Sequence, residues 1–80
     1  MEELQRHLST AGVFDPRETA EVLYGQHITW SLLVDTFLRT GDGGGRAGVG
    51  ELLDNNVKVG ARFAILNYLT DTQQSDASPR

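Results

Sequence analysis

The sequence predicts an all-α protein, a small five-helix bundle with a glycine-rich loop between helices 3 and 4. Three observations lead there. Apolar residues return at helical spacing in several short segments, most regularly through Val59, Phe63, Leu66 and Leu69. Helix-starting and helix-stopping residues punctuate those segments, with Asp15-Pro16 and Thr29 at starts and Gly12 and Gly25 at stops. The β-branched residues Ile28, Thr29 and Val34 would suit a short strand, but the length and continuing apolar spacing of their segment favour helix.

The first helix spans Glu2 to Ala11. Leu4 and Leu8 stand i, i+4 and share a face, while Glu2 and Glu3 lie where the helix dipole favours negative charge. Gly12 stops it. The second helix has the plainest start, with Asp15 as N-cap, Pro16 at the first helical position and Glu18 three residues after the cap. One side of it carries Ala20, Leu23 and Tyr24. Phe14, just ahead of the cap, is placed to staple onto Thr19 or Ala20, and Gly25 ends the helix. Thr29 caps a third helix from Trp30 to about Arg39, with Trp30, Leu33, Val34 and Phe37 inward and Ile28 buried beside them.

Thr40 to Gly50 then breaks the pattern with Gly41, Gly43, Gly44, Gly45, Gly48 and Gly50. Ordering a glycine costs more backbone entropy than ordering any other residue, so residues 41–48 read as a mobile loop. A short fourth helix follows from Val49 to Asp54, with Leu52 or Leu53 inward. Asn55-Asn56 supplies a left-handed exit, because asparagine tolerates positive φ. The fifth helix runs from Val59 to Thr70. Val59, Arg62, Phe63, Leu66 and Leu69 form its stripe, and Ile65 widens it. Residues 1–70 thus make a single helical domain, and the polar residues 71–80 a disordered C-terminal tail.

At 80 residues the chain supports one domain, and folding hides only roughly 60% of the surface its unfolded form exposes. Its 39% hydrophobic content and small net charge still suffice for a core. The chain has no cysteine, which fits a reducing, intracellular setting, cytoplasmic or nuclear. No leader-like segment opens it. The longest apolar patch, Leu32-Leu33-Val34, falls far short of the roughly 20 residues of a membrane span. Seven basic against eleven acidic residues give a net charge of -4, which argues against nucleic acid as a partner.

Nothing in the residue pattern points to catalysis. Gly41-Asp42-Gly43-Gly44-Gly45-Arg46 lacks the Gly-Lys-Ser/Thr ending of a phosphate loop, and Asp42 would repel phosphate. The spaced acidic positions of a calcium loop are missing around Asp42. His7 and His27 lie on different elements, which suits a solvated surface residue and a turn residue better than a metal site. Ser9 and Ser31 have no nucleophile context. No catalytic residue, metal ligand or cofactor is therefore assigned. Trp30 reads as core, and Tyr68 lies partly off the apolar stripe.

Taken in order, Leu4 and Leu8, Ala11-Gly12-Val13, Ala20, Leu23 and Ile28, Leu32-Leu33, Leu52, and Val57-Lys58-Val59-Gly60-Ala61-Arg62 with Ile65-Leu66 resemble the sterile alpha motif domain. Two departures stand out: the segment from Ile28 to Gly60 is longer than that family usually has, and Asn55 falls where it has a buried leucine. The resemblance implies a five-helix protein–protein interaction module with a long last helix. It implies self-association, or pairing with a similar domain, through the start of that helix at Lys58, Gly60 and Arg62. The acceptor would be a middle acidic surface around Asp35, Glu51 and Asp54, giving dimers or head-to-tail oligomers. Complementary charge would steer such a contact and make it salt-sensitive. Two solvated side chains at a helix start explain Lys58 and Arg62 equally well, although positive charge there mildly disfavours the helix itself. Two further readings are a death-fold-like adaptor that recruits an effector, and RNA-hairpin binding through Gly60-Ala61-Arg62. The second is weakened by Phe63-Ala64, where more basic residues would be needed.

Overall fold

Five helices, α1 (Glu2–Thr10), α2 (Pro16–Gly25), α3 (Trp30–Leu38), α4 (Gly44–Leu53) and α5 (Val59–Ala77), account for most of the chain in a computed structural model. The structure describes residues 1–39 and 44–77, with side chains to Gln73. There is no strand among the described residues. The all-α five-helix expectation holds.

The turns show how local chemistry sets the helix ends. α1 closes with Gly12 at φ 80°, its N–H donating to the Ser9 carbonyl at 3.1 Å and the Val13 N–H to the Leu8 carbonyl at 3.0 Å. That pair of bonds is a Schellman closure, and it carries Val13 into the core. α2 closes the same way. The left-handed residue is His27 at φ 61°, with Ile28 donating to the Leu23 carbonyl at 2.8 Å. Gly25 is the last helical residue, not the turn. Thr29 caps α3 as its position implies, its hydroxyl accepting the Leu32 N–H at 3.2 Å. Asn55 takes the left-handed exit from α4 at φ 68°.

α3 packs along α4 and α1 along α2, and α5 closes against α4 and α3. One cluster of Leu4, Leu8, Leu23, Leu33, Leu53, Ile65 and Leu69, joined by Trp30 and Val49, fills the space between them.

Several expectations need correction. The helical part of α4 begins at Gly44, so residues 44–48 are not loop. A Cβ on Gly45 would overlap the backbone carbonyl of Phe37, and one on Gly48 would meet the Thr36 methyl at 2.9 Å. These two glycines let α4 approach α3 closely, a packing role that outweighs their poor helix propensity. Thr40, Gly41, Asp42 and Gly43 lie outside the described residues. α5 continues past Thr70 to Ala77. The Thr70 and Thr72 hydroxyls donate to carbonyls one turn back, each at 2.8 Å, and no glycine or proline intervenes. Residues 78–80 lie outside the described residues.

Candidate interaction surface

A groove of about 460 Å³ lies between the α1–α2 turn, α2 and the start of α5. One wall carries Phe14, Asp15, Glu18 and Val22. The facing wall carries Val57, Lys58, Gly60 and Ala61.

The α1–α2 turn shapes the first wall. Because the Schellman closure spends Val13 on the core, Phe14 is the apolar residue left over and points outward, 89% exposed. The expected staple onto Thr19 or Ala20 does not form. Asp15 takes the left-handed conformation, φ 57° and ψ 61°, and its side chain makes no capping bond to the helix. The Asp15–Glu18 signature is therefore not a capping box. The Asp15 carboxyl, a hydrogen-bonding and like-charged neighbour, instead raises the pKa of Glu18. Lys58 acts against that shift, which places the lysine charge near the acidic wall.

The second wall begins where Asn56 turns the chain, its side-chain amide donating to the Leu52 carbonyl at 3.0 Å. Lys58 is exposed, and its carbonyl accepts the Arg62 N–H at 3.0 Å as the helix begins. Gly60 has open space where a side chain would stand. Outward along the same helix, Val59 and Phe63 are 55% and 57% exposed. They are one turn apart and share a face, so the buried stripe of α5 consists of Ile65, Leu66 and Leu69 without them.

The residues singled out from sequence divide into three groups. Lys58 and Gly60 stand together in the groove. Arg62 turns away and donates from Nη1 to Asp54 Oδ1 at 3.2 Å, while its buried Nε has no partner among the described residues. Asp54, expected on the acceptor surface, thus stands beside the donor residue of the same molecule. Asp35 and Glu51 are exposed, and Glu51 lines a shallow depression between α3 and α4 with Thr36, Arg39 and Gly48.

No protein-family model matches this chain, and no curated protein or solved structure does either. Its surface must be judged on its own geometry. Among the described residues no three His, Cys, Asp or Glu side chains converge as metal ligands would. Among them also, no helix is long and apolar enough to cross a membrane.

Away from the groove, His7 is a correction. It is not a solvated surface residue. Its ring stacks on Trp30 with centroids 4.2 Å apart and planes 7° apart, and Nδ1 lies 3.3 Å from the Tyr68 hydroxyl. Trp30 is core, as its position suggested, and Tyr68 is half-buried against it. Burial, with the nearby Arg6 charge, lowers the His7 pKa. Periodicity could not have found this cluster, because it joins α1, α3 and α5 across long sequence separations. Phe14 was more legible: once Gly12 closes α1, the buried position of the motif belongs to Val13.

Proposed function

We propose that this chain is a protein–protein interaction module of the sterile alpha motif type, pairing with itself or a similar helical domain through the start of α5. The observation that supports it most directly is Phe14, an aromatic ring 89% exposed at the lip of a groove that also holds Lys58 and Gly60. An exposed phenyl group adds nothing to the monomer's core, whereas aromatic residues carry much of the energy at interfaces. Val22, Val59 and Phe63 extend the apolar surface nearby, and charged residues border it, as in a contact with an apolar centre and a polar rim.

Light scattering across protein concentration and salt tests this. The mass should exceed that of one chain at high concentration and fall as salt rises. Lys58→Glu should reduce it without changing the helical circular dichroism. Arg62 is the poorer probe, because reversing its charge also breaks its contact with Asp54. A single-chain mass at high concentration and low salt, unmoved by Lys58→Glu, would reject self-association.

A further inference from the structure

We propose that two copies of this chain close on each other through the groove, each seating its Phe14 in the other's groove, to form a two-fold symmetric dimer. The inference rests on the reading that the start of α5 is an interaction surface, and it names the occupant.

Three observations support it. First, Phe14 cannot retreat inward. The Val13 N–H is bonded to the Leu8 carbonyl at 3.0 Å and the Val13 side chain is buried, which fixes the turn with Phe14 outside. Second, the groove beside it is lined by Val22, Val57 and Ala61, and a volume of about 460 Å³ admits a phenyl ring. Burying such a ring removes about 150–250 Å² from water. Third, the charges are self-complementary. Asp15 and Glu18 stand on one wall and Lys58 on the other. A two-fold axis through the groove exchanges the walls, so each Lys58 meets the acidic pair of the other copy, and the contact is made twice.

A head-to-tail contact would draw on a separate acidic acceptor, and of the residues available Asp54 already holds Arg62. The closed arrangement uses one patch on both copies and leaves no free end. An interface centred on one aromatic ring and its groove lies at the small end of specific contacts, so the dimer should dissociate on dilution.

Sedimentation equilibrium over a wide concentration range, with paired charge reversals, tests it. The mass should rise from one chain and level off at two. Phe14→Ala should weaken dimerisation at least about tenfold, as loss of a central aromatic does. Lys58→Glu and the double variant Asp15→Asn, Glu18→Lys should each abolish self-pairing, since each sets like charges face to face twice. Mixed in equal amounts, those two variants should dimerise with each other, because both cross-contacts are then attractive. The like-charge juxtaposition inside each variant is untouched by mixing, so rescue reports the contact between copies. A single-chain mass throughout would overturn this dimer together with the self-association beneath it. Growth beyond two chains would keep self-association and overturn the closed pair. A dimer indifferent to Phe14→Ala and to the double variant Asp15→Asn, Glu18→Lys would place the contact elsewhere and overturn the proposal.

Discussion

His27 holds a left-handed conformation at φ 61° although it has a side chain to accommodate. The position ends α2, and the two bonds around it require positive φ whatever residue stands there. A non-glycine residue in that conformation costs about 1–2 kcal/mol. His27→Gly removes the strain, and the looser unfolded chain takes back about 0.4–1 kcal/mol. A net gain of about 0.5–1 kcal/mol is expected, read as a higher denaturant midpoint. Gly12→Ala should act in the opposite direction, because Gly12 at φ 80° serves the same turn after α1 without strain. His7 titrates with the fold. Its folded-state pKa lies below the ordinary 6.5, through burial first and the Arg6 charge second, with Glu3 opposing. The unfolded chain therefore takes up the proton first as pH falls. The stability that neutral His7 confers is complete above pH 6.5 and declines from there down to the folded value. Glu18 has the opposite sign, since its raised pKa means that the folded state binds its proton first. Unfolding midpoints measured between neutral and mildly acidic pH should thus fall less steeply for His7→Phe than for the parent chain. Equal slopes would remove His7 from the account.

The close approach of α3 and α4 explains two of the four glycines in α4, Gly45 and Gly48. Gly45 faces the Phe37 backbone, which cannot step aside as a side chain can. Gly45→Ala should cost about 3 kcal/mol, the upper end of ordinary overpacking. Gly50 lies in the same helix with nothing near it, so Gly50→Ala should gain about 0.8–1 kcal/mol from helix propensity alone. Thermal or denaturant unfolding of the two variants should move in opposite directions, and the same direction for both would refute the packing role. The contrast also marks what sequence can disclose. Thr29, Asn55 and Pro16 announce their roles because caps, left-handed exits and first-turn prolines depend on the residue and its immediate neighbours. Gly45 does not, because the reason for it lies on another helix. Read locally, a glycine run means a loop. Read against Phe37, part of it is a contact surface.

For the whole molecule, a greasy residue at helical spacing serves one of two ends. It seals the core or it faces outward, and spacing alone leaves the choice open. Along α5 the rows Val59–Phe63 and Ile65–Leu69 are both i, i+4 pairs, yet only the second is fully buried. The division follows from how the helix is rolled by its neighbours: Arg62 is held toward Asp54, and Tyr68 is drawn to His7 and Trp30. That roll is a property of the assembled bundle, so the core's leucines were legible while the candidate site was only half so. Lys58 and Gly60 could be placed from the residues around the last helix start and Phe14 only through the Gly12 closure that spends Val13 on the core, whereas Val22, Val59 and Phe63 could not. Truncating each row should separate the two ends. Leu69→Ala empties a fully buried position and should cost about 2–5 kcal/mol, a large part of the stability of a domain this small. Phe63→Ser removes a side chain that is 57% exposed and should cost far less, because the water it displaces is mostly still there. If the dimer's contact reaches beyond the groove to this flank of α5, Phe63→Ser will weaken self-association while the monomer's unfolding midpoint stays nearly fixed. An unfolding loss as large as that of Leu69→Ala would mean that α5 is rolled the other way, with Phe63 in the core and no apolar flank left for a partner.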